Sequence, residues 1–261
     1  MDKVYRSLQG LARRFGYNFE VNAYNKRGFP GYAEPDFIKL VDKYRNKTMV
    51  PWGGLHMAYR AARYVAENKV PGAVVECGVW RGGCALLMAD AIAQAGGSYD
   101  FYLYDTYAGM SKPGDEDTSV VGHASAFFDK AKRGKGHVDW CYASVDEVGA
   151  NIEASGNTRE RFKLIVGKVE DTIPGTVPAE IAILRLDTDW YESTLHEMEH
   201  LFPRLVPGGV FICDDYGFWL GAQKAVDEYL AKLDEPFLLT VDSSTGRAIG
   251  VRSSPKSRSD L

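Results

Sequence analysis

Ile181-Ala182-Ile183-Leu184-Arg185-Leu186-Asp187-Thr188-Asp189 is the stretch on which the reading of this chain turns. A short, largely apolar run, Ile181 to Leu186, has the character of a buried parallel strand, and it ends in two acids. The pattern returns at Val210 to Cys213, which runs into Asp214-Asp215-Tyr216. If the two strands are neighbours, their carboxyl ends deliver several carboxylates to one edge of a sheet, where open α/β sheets place their ligands.

Working outward, strands and helices alternate. A helix is expected from Leu55 to Asn68, with Leu55, Ala58, Tyr59, Ala62 and Val65 on one face, stopped by Lys69-Val70-Pro71-Gly72. Strands follow at Ala73 to Cys77, Phe101 to Tyr104 and Phe162 to Val166, with helices at Cys84 to Ala95, Phe127 to Lys132 and Asp146 to Ser155. A helix from about Thr194 to Leu205, capped by Ser193 or Thr194, joins the two acid-tipped strands. After a helix from Gly221 to Leu233, Phe237 to Val241 and Ala248 to Val251 form an antiparallel hairpin. The polar stretch Ala108 to Gly122 reads as a mobile loop. The expected fold is an α/β sheet, mostly parallel, with helices on both faces. Residues 1–54 read as an irregular or helical cap, 55–252 as the main domain, and 253–261 as a frayed tail.

Composition narrows the function. A net charge of −4 leaves no nucleic-acid footprint. The apolar runs are too short to span a bilayer, and Met1-Asp2-Lys3-Val4-Tyr5-Arg6 lacks the apolar core of a signal peptide. The four cysteines form no C-x-x-C pair, so a reducing cytoplasm is expected.

Crowded carboxylates repel unless they are protonated, separated or neutralised by a cation. Hard oxygen ligands of this kind suit Mg²⁺, Ca²⁺ or Mn²⁺. Asp189, two residues beyond Asp187, leans the same way in extended backbone and is free to act as a general base. Glu76-Cys77-Gly78-Val79-Trp80-Arg81-Gly82-Gly83 forms a glycine-rich turn between the first strand and its helix. It is no dinucleotide fingerprint, because Trp80 stands where G-x-G-x-x-G needs its middle glycine. Glu76 suits a cationic amine and would repel a pyrophosphate. Asp105 occupies the strand-end position that binds ribose in nucleotide folds. Glu170 or Asp171 could reach an adenine amino group, or Asp171 could simply cap a helical turn. His196-Glu197-Met198-Glu199-His200 matches H-E-x-x-H, but it lies inside the crossover helix away from the strand ends, so a zinc protease is rejected.

Together these segments resemble the macrocin O-methyltransferase family of S-adenosylmethionine- and Mg²⁺-dependent sugar O-methyltransferases. The resemblance runs from about Thr48 to Val251. It is carried by Val75 to Gly83, Tyr104-Asp105-Thr106, Glu170-Asp171-Thr172-Ile173-Pro174, Leu186 to Thr194, and Pro207-Gly208-Gly209 with Asp214-Asp215-Tyr216. It implies a class I methyltransferase (Rossmann-like) fold with a seven-stranded sheet and a helical N-terminal cap. It also implies that Thr48, Met49, Glu76, Gly78, Arg81, Gly82, Gly83, Asp105, Thr106, Ser144, Glu170 and Asp171 surround S-adenosylmethionine. Asp187, Asp214 and Asp215 would hold the metal, and Asp189 would be the base. The acceptor would be a sugar or glycosylated small molecule, the 108–122 loop its lid, and the chain a homo-oligomer. One departure stands out: Thr188 occupies a position where the antibiotic enzymes tend to have Gly, and it bears on the backbone angle at Asp189. A catechol-type enzyme usually has Lys three residues beyond the first Asp, where this chain has Trp190. A non-catalytic cofactor-binding protein would have no use for four crowded acids.

Overall fold

The computed structural model describes residues 29, 31–243 and 245–253. Most of the expected cap, residues 1–28, and the tail beyond 253 therefore lie outside the described residues. The chain divides into two compact units, Met1–Ile38 and Lys39–Leu261. In the first, Phe29 and Phe37 meet edge to face at 6.2 Å. The second carries the sheet and the site.

A seven-stranded sheet is built from β1 (Ala73–Cys77), β2 (Phe101–Asp105), β3 (Phe162–Val166), β4 (Ile181–Leu186), β5 (Leu205–Cys213), β6 (Leu239–Val241) and β7 (Ala248–Val251). Its order is β6-β7-β5-β4-β1-β2-β3. All pairings are parallel except those of β7, which runs antiparallel to both β5 and β6. Both the sheet and its single reversed strand match the sequence reading. β1 and β4 are adjacent although distant in the chain, and the order reverses there, so the crevice at their carboxyl ends is the place for a ligand.

The longer helices are α1 (Pro35–Tyr44), α2 (Trp52–Glu67), α3 (Gly83–Gln94), α4 (Val145–Ser155), α5 (Tyr191–Leu201) and α6 (Leu220–Leu230). α2 packs on α3 and α5 on α6, and α2 and α5 both lie against β4. Alternation along β4 sends Leu184 and Leu186 into the core shared with Met198 and Leu201 of α5 and Val226 of α6. Arg185 and Asp187 point to the other face.

Three local expectations need correction. Neither Ser193 nor Thr194 caps the crossover helix. It begins earlier, at Tyr191, and both residues lie buried inside it. The Tyr191 N–H is instead satisfied by the buried Asp117 carboxylate, 2.8 Å away and reaching in from the 108–122 loop. That loop is accordingly tied down. Asp117 also accepts from Gly114 N at 2.7 Å, and Ser111 O accepts from the Trp190 indole at 3.1 Å. The helix expected over 127–132 is one turn, Ser125–Phe128.

Close approach at the switch point needs a glycine. A Cβ on Gly78 would stand 1.8 Å from Asp187 O, and the residue has φ +82°. Gly83 likewise faces Lys47 O at 2.4 Å from an ideal Cβ. The glycine turn thus lets two chain segments close on the end of β1, before any ligand is considered. Gly78→Ala is expected to destabilise the protein by about 3 kcal/mol or more in urea unfolding. Gly96→Ala, also at positive φ but with nothing within 4 Å, should cost only about 1 kcal/mol.

Candidate active site

The register of the sheet assembles the site. Glu76 on β1 pairs with Arg185 on β4, and Leu186 with Cys213 on β5, so Asp187 and Asp214 leave the sheet side by side. Backbone bonds carry the ladder one step past the strands: Asp187 N to Cys77 O, and Asp214 N to Leu186 O, both 2.9 Å. Ligand oxygens of Asp187, Asp214 and Asp215 lie within 4.8 Å of one another. The convergence expected from the two acid-tipped strands is present.

Its electrostatics were only half legible. Arg185, 1% exposed, donates to Glu76 Oε1 at 2.7 Å, Asp187 Oδ2 at 2.8 Å and Asp214 Oδ1 at 2.7 Å. Arg247, from the turn before β7, holds Asp214 from the far side at 2.9 and 2.7 Å. One buried and one partly buried guanidinium therefore neutralise part of the cluster, an arrangement suited to Arg because its fork engages several carboxylate oxygens at once. Burial would push the Asp214 carboxyl up, but the two arginines override it and hold it below the usual range. Asp187 goes the other way, raised by burial and by Asp214 and Asp215 despite Arg185.

Asp189 is pushed up to about 7, by burial first and then by the Asp187 and Asp214 charges. Its backbone sits at φ +68°, in the left-handed region that Asp tolerates better than most residues. The Asp189 N–H donates to Asp215 Oδ2 at 3.2 Å, and the side chain accepts from Trp219. A partly buried carboxylate with a pKa near neutrality, beside a charged cluster, has the character of a general base.

Two cavities open onto this cluster. The first is an open cleft bounded by Met49 and Val50, the β1 turn, the end of β2, Lys168 to Glu170 and the 187–189 loop. The second, about 930 Å³, is walled by Phe127, Trp140, Phe218 and Trp219 and floored by Asp189, Asp214 and Asp215. Cys141, Asp189, Asp214 and Arg247 line both.

Of the residues expected around a cofactor, Met49, Gly78, Asp105, Thr106 and Glu170 line the first cavity. Thr48, Glu76, Arg81, Gly82, Gly83, Ser144 and Asp171 do not. Each of several has another task. Glu76 is buried and held by Arg185. Arg81 reaches Glu147 at 2.9 Å and lies over the Trp80 ring. Ser144 caps α4, accepting from Glu147 N at 3.1 Å. Thr48 accepts from Val50 N at 3.1 Å, behind Met49. Asp105 is partly committed as well: Oδ2 accepts from Val79 N and Trp80 N at 2.8 and 3.0 Å, and Oδ1 from Tyr107 N at 2.8 Å. Oδ1 also lies 3.5 Å from the Thr106 hydroxyl, which donates at 2.6 Å to Gly109 O. The two arginines and the aromatic wall escaped the sequence reading. Arg185 hid inside an otherwise apolar run, and the rings come from three separate segments.

The sheet order and the cavity at its carboxyl edge define a class I methyltransferase fold. The chain belongs to the macrocin-O-methyltransferase (TylF) family, whose model matches residues 44–245. It is 34% identical over 171 residues to 8-demethyl-8-(2,3-dimethoxy-alpha-L-rhamnosyl)-tetracenomycin-C 4'-O-methyltransferase of Streptomyces olivaceus, covering 65% of this chain and 62% of that protein. It is 32% identical over 196 residues to demethyldecarbamoylnovobiocin O-methyltransferase of Streptomyces niveus, covering 75% and 72%. Among solved structures it superposes on the O-methyltransferase NovP with a TM-score of 0.68 at 27% identity, covering 87% and 86%.

Arg185 is the cation that Glu76, Asp187 and Asp214 share, so its removal leaves buried Glu76 and partly buried Asp187 without a cation and Asp214 with Arg247 alone. Arg185→Met is expected to lower unfolding free energy at neutral pH by about 3–5 kcal/mol, read from denaturant midpoints.

Proposed function

We propose that the protein is an S-adenosylmethionine- and Mg²⁺-dependent O-methyltransferase acting on a hydroxyl of a sugar or glycosylated natural product, with Asp189 as general base. The observation that carries this reading is the meeting of two cavities at Asp189 and Asp214. One cavity suits the methyl donor and the other the acceptor, and a carboxyl group with proton affinity near neutrality stands between them.

The first cavity offers what an adenosyl ligand needs. Asp105 and Thr106 at the end of β2 suit ribose hydroxyls, Met49 and Val169 supply apolar cover, and Glu170 is placed for an adenine amino group. The bound cofactor supplies an electrophilic methyl group. For the metal, the donor set is all carboxylate oxygen, as Mg²⁺ prefers. Asp187 Oδ1 and Asp215 Oδ1 are clear of the arginines and of the Asp189 N–H, and Asp214 retains one lone pair, on Oδ2, since Oδ1 accepts from both arginines. The residues therefore fit a divalent cation, which would lower the cost of placing negative charge on an acceptor oxygen. Asp189 is set to take the proton of a hydroxyl presented from the second cavity. The protein's further contribution is to hold that hydroxyl and the methyl donor in one orientation and to exclude water from the junction.

The second cavity shapes the acceptor. Its aromatic wall continues to an apolar rim, with Val121, Phe127 and Phe218 each more than 40% exposed. Arg247 is the one cation among its lining residues and is taken up by Asp214. Among the described residues lining this cavity a nucleotide-linked sugar would find no free cation for its diphosphate, whereas a sugar on an apolar aglycone would match both floor and rim. Four unpaired cysteines agree with a reducing cytoplasm. Among the described residues no helix is long and apolar enough to cross a membrane.

Asp189→Asn is expected to leave S-adenosylmethionine affinity within about threefold while lowering turnover of a rhamnosylated aromatic polyketide at least about 100-fold, the scale of a lost general base. Retained turnover would remove Asp189 from the mechanism. Phe218→Ala is expected to raise the acceptor KM several-fold and leave the cofactor KM unchanged.

A further inference from the structure

Glu197 is the middle acid of the H-E-x-x-H sequence, and nothing in the site described above uses it. The histidines on either side do not make a metal site with it: His196 Nε2 lies 2.9 Å from Ile173 O, and the two imidazoles pack edge to face at 4.4 Å. Glu197 points the other way. It is completely buried, and among the described residues no cation pairs with it. Its partners are the Thr188 hydroxyl, 3.0 Å from Oε1 and 3.2 Å from Oε2, and the thiol of Cys77 at the end of β1. A carboxyl group with only a hydroxyl and a thiol for company is costly to bury, and an apolar side chain would have filled the same core space without that cost.

Position 188 explains what that cost supports. The loop after β4 must hold Asp189 at φ +68°, a conformation that non-glycine residues adopt only when their surroundings fix it. The loop is held at its ends by Asp187 N on Cys77 O, Arg185 on the Asp187 carboxylate, the Trp190 indole on Ser111 O and Ser193 Oγ on Trp190 O. Between them Asp189 N binds Asp215 Oδ2, and Thr188 Oγ1 on Glu197 ties the middle of the loop to the body of α5. Resemblance to the family places Thr where Gly is common, and Thr brings both the steric restriction of a β-branched residue and a hydroxyl to anchor. We propose that Glu197 is a positioning residue: through Thr188 it fixes the 187–190 loop, and thereby the carboxyl group of Asp189, in the geometry the reaction needs. The catalytic part of this inference rests on Asp189 being the base. The structural part does not.

Amide hydrogen exchange of the intact protein tests the structural part directly, using Thr188→Val, Glu197→Gln, Glu197→Ala and the double variant Thr188→Val/Glu197→Ala. Exchange at Asp189 and Trp190 is expected to accelerate at least about tenfold in Thr188→Val and Glu197→Ala, with β4 amides unchanged. Glu197→Gln, which keeps an acceptor for the Thr188 hydroxyl, should stay within about threefold of wild type. In turnover of a rhamnosylated aromatic polyketide, kcat should fall about 10- to 100-fold in the same two variants, with the S-adenosylmethionine KM within about threefold. The double variant should be no worse than the weaker single, because both remove one interaction. Unchanged exchange in Thr188→Val and Glu197→Ala would overturn the proposal, as would a Glu197→Gln enzyme as impaired as Glu197→Ala. Should Glu197→Ala fail to fold, the isosteric Thr188→Val and Glu197→Gln decide the matter. Wild-type protein that transfers no methyl group would defeat the methyltransferase reading, while the exchange data would still judge the tether.

Discussion

Everything at the carboxyl edge of this sheet depends on one buried guanidinium. Arg185 sits in the middle of a parallel sheet, where side chains are ordinarily aliphatic, and binds acids from three adjacent strands or their ends. Without it, Glu76, Asp187 and Asp214 would bring their charges into a low-dielectric crevice with Arg247 as the remaining partner for Asp214 alone. With it, the cluster is dense in carboxylate oxygen yet short of full neutrality. That residual negative charge is what a divalent ion and a cationic methyl donor would each find attractive. The same crowding, together with burial, raises the proton affinity of Asp189, so one electrostatic arrangement serves both binding and proton removal.

The fold was legible because its signals are local. Ile181 to Leu186 and Val210 to Cys213 are apolar over a strand's length, and the crossovers between strands have helical periodicity. The four aspartates could be placed at the sheet edge because each directly follows such a strand. What could not be read depends on contacts far apart in the chain. Asp117 satisfies the start of α5 from 74 residues away, so a polar stretch that looks mobile is held in place. Arg247 reaches Asp214 across 33 residues and a hairpin turn. Trp140, Trp190 and Trp219 come together edge to face only in three dimensions. The family resemblance carried the cofactor set as a whole; Arg81 and Ser144 also have partners within the protein, and Glu76 gives one carboxylate oxygen to Arg185 while its buried Oε2 has no hydrogen-bond partner among the described residues. Sequence position alone does not distinguish a residue that touches a ligand from one that supports the residue that does.

The glycine turn makes the same point. Gly78 is required because β1 and the loop after β4 nearly touch, and that contact brings Asp187 and Asp189 to the mouth of the first cavity. Backbone packing, the arginine network and the left-handed Asp189 together place one carboxyl group where two cavities meet. Acceptor choice is then left to the aromatic wall and apolar rim of the second cavity, which involve none of the sheet, with Trp219 alone of the wall residues also bonded to Asp189.

The central claim is that the first cavity holds the methyl donor and the carboxylates beside it hold a divalent ion. Titration calorimetry with S-adenosylmethionine, with and without Mg²⁺, on wild type and Asp187→Ala tests it most directly. The account predicts micromolar-range cofactor binding by both proteins and a separate Mg²⁺ heat in wild type alone. Absence of cofactor binding to wild type, or an undiminished Mg²⁺ heat in Asp187→Ala, would contradict it.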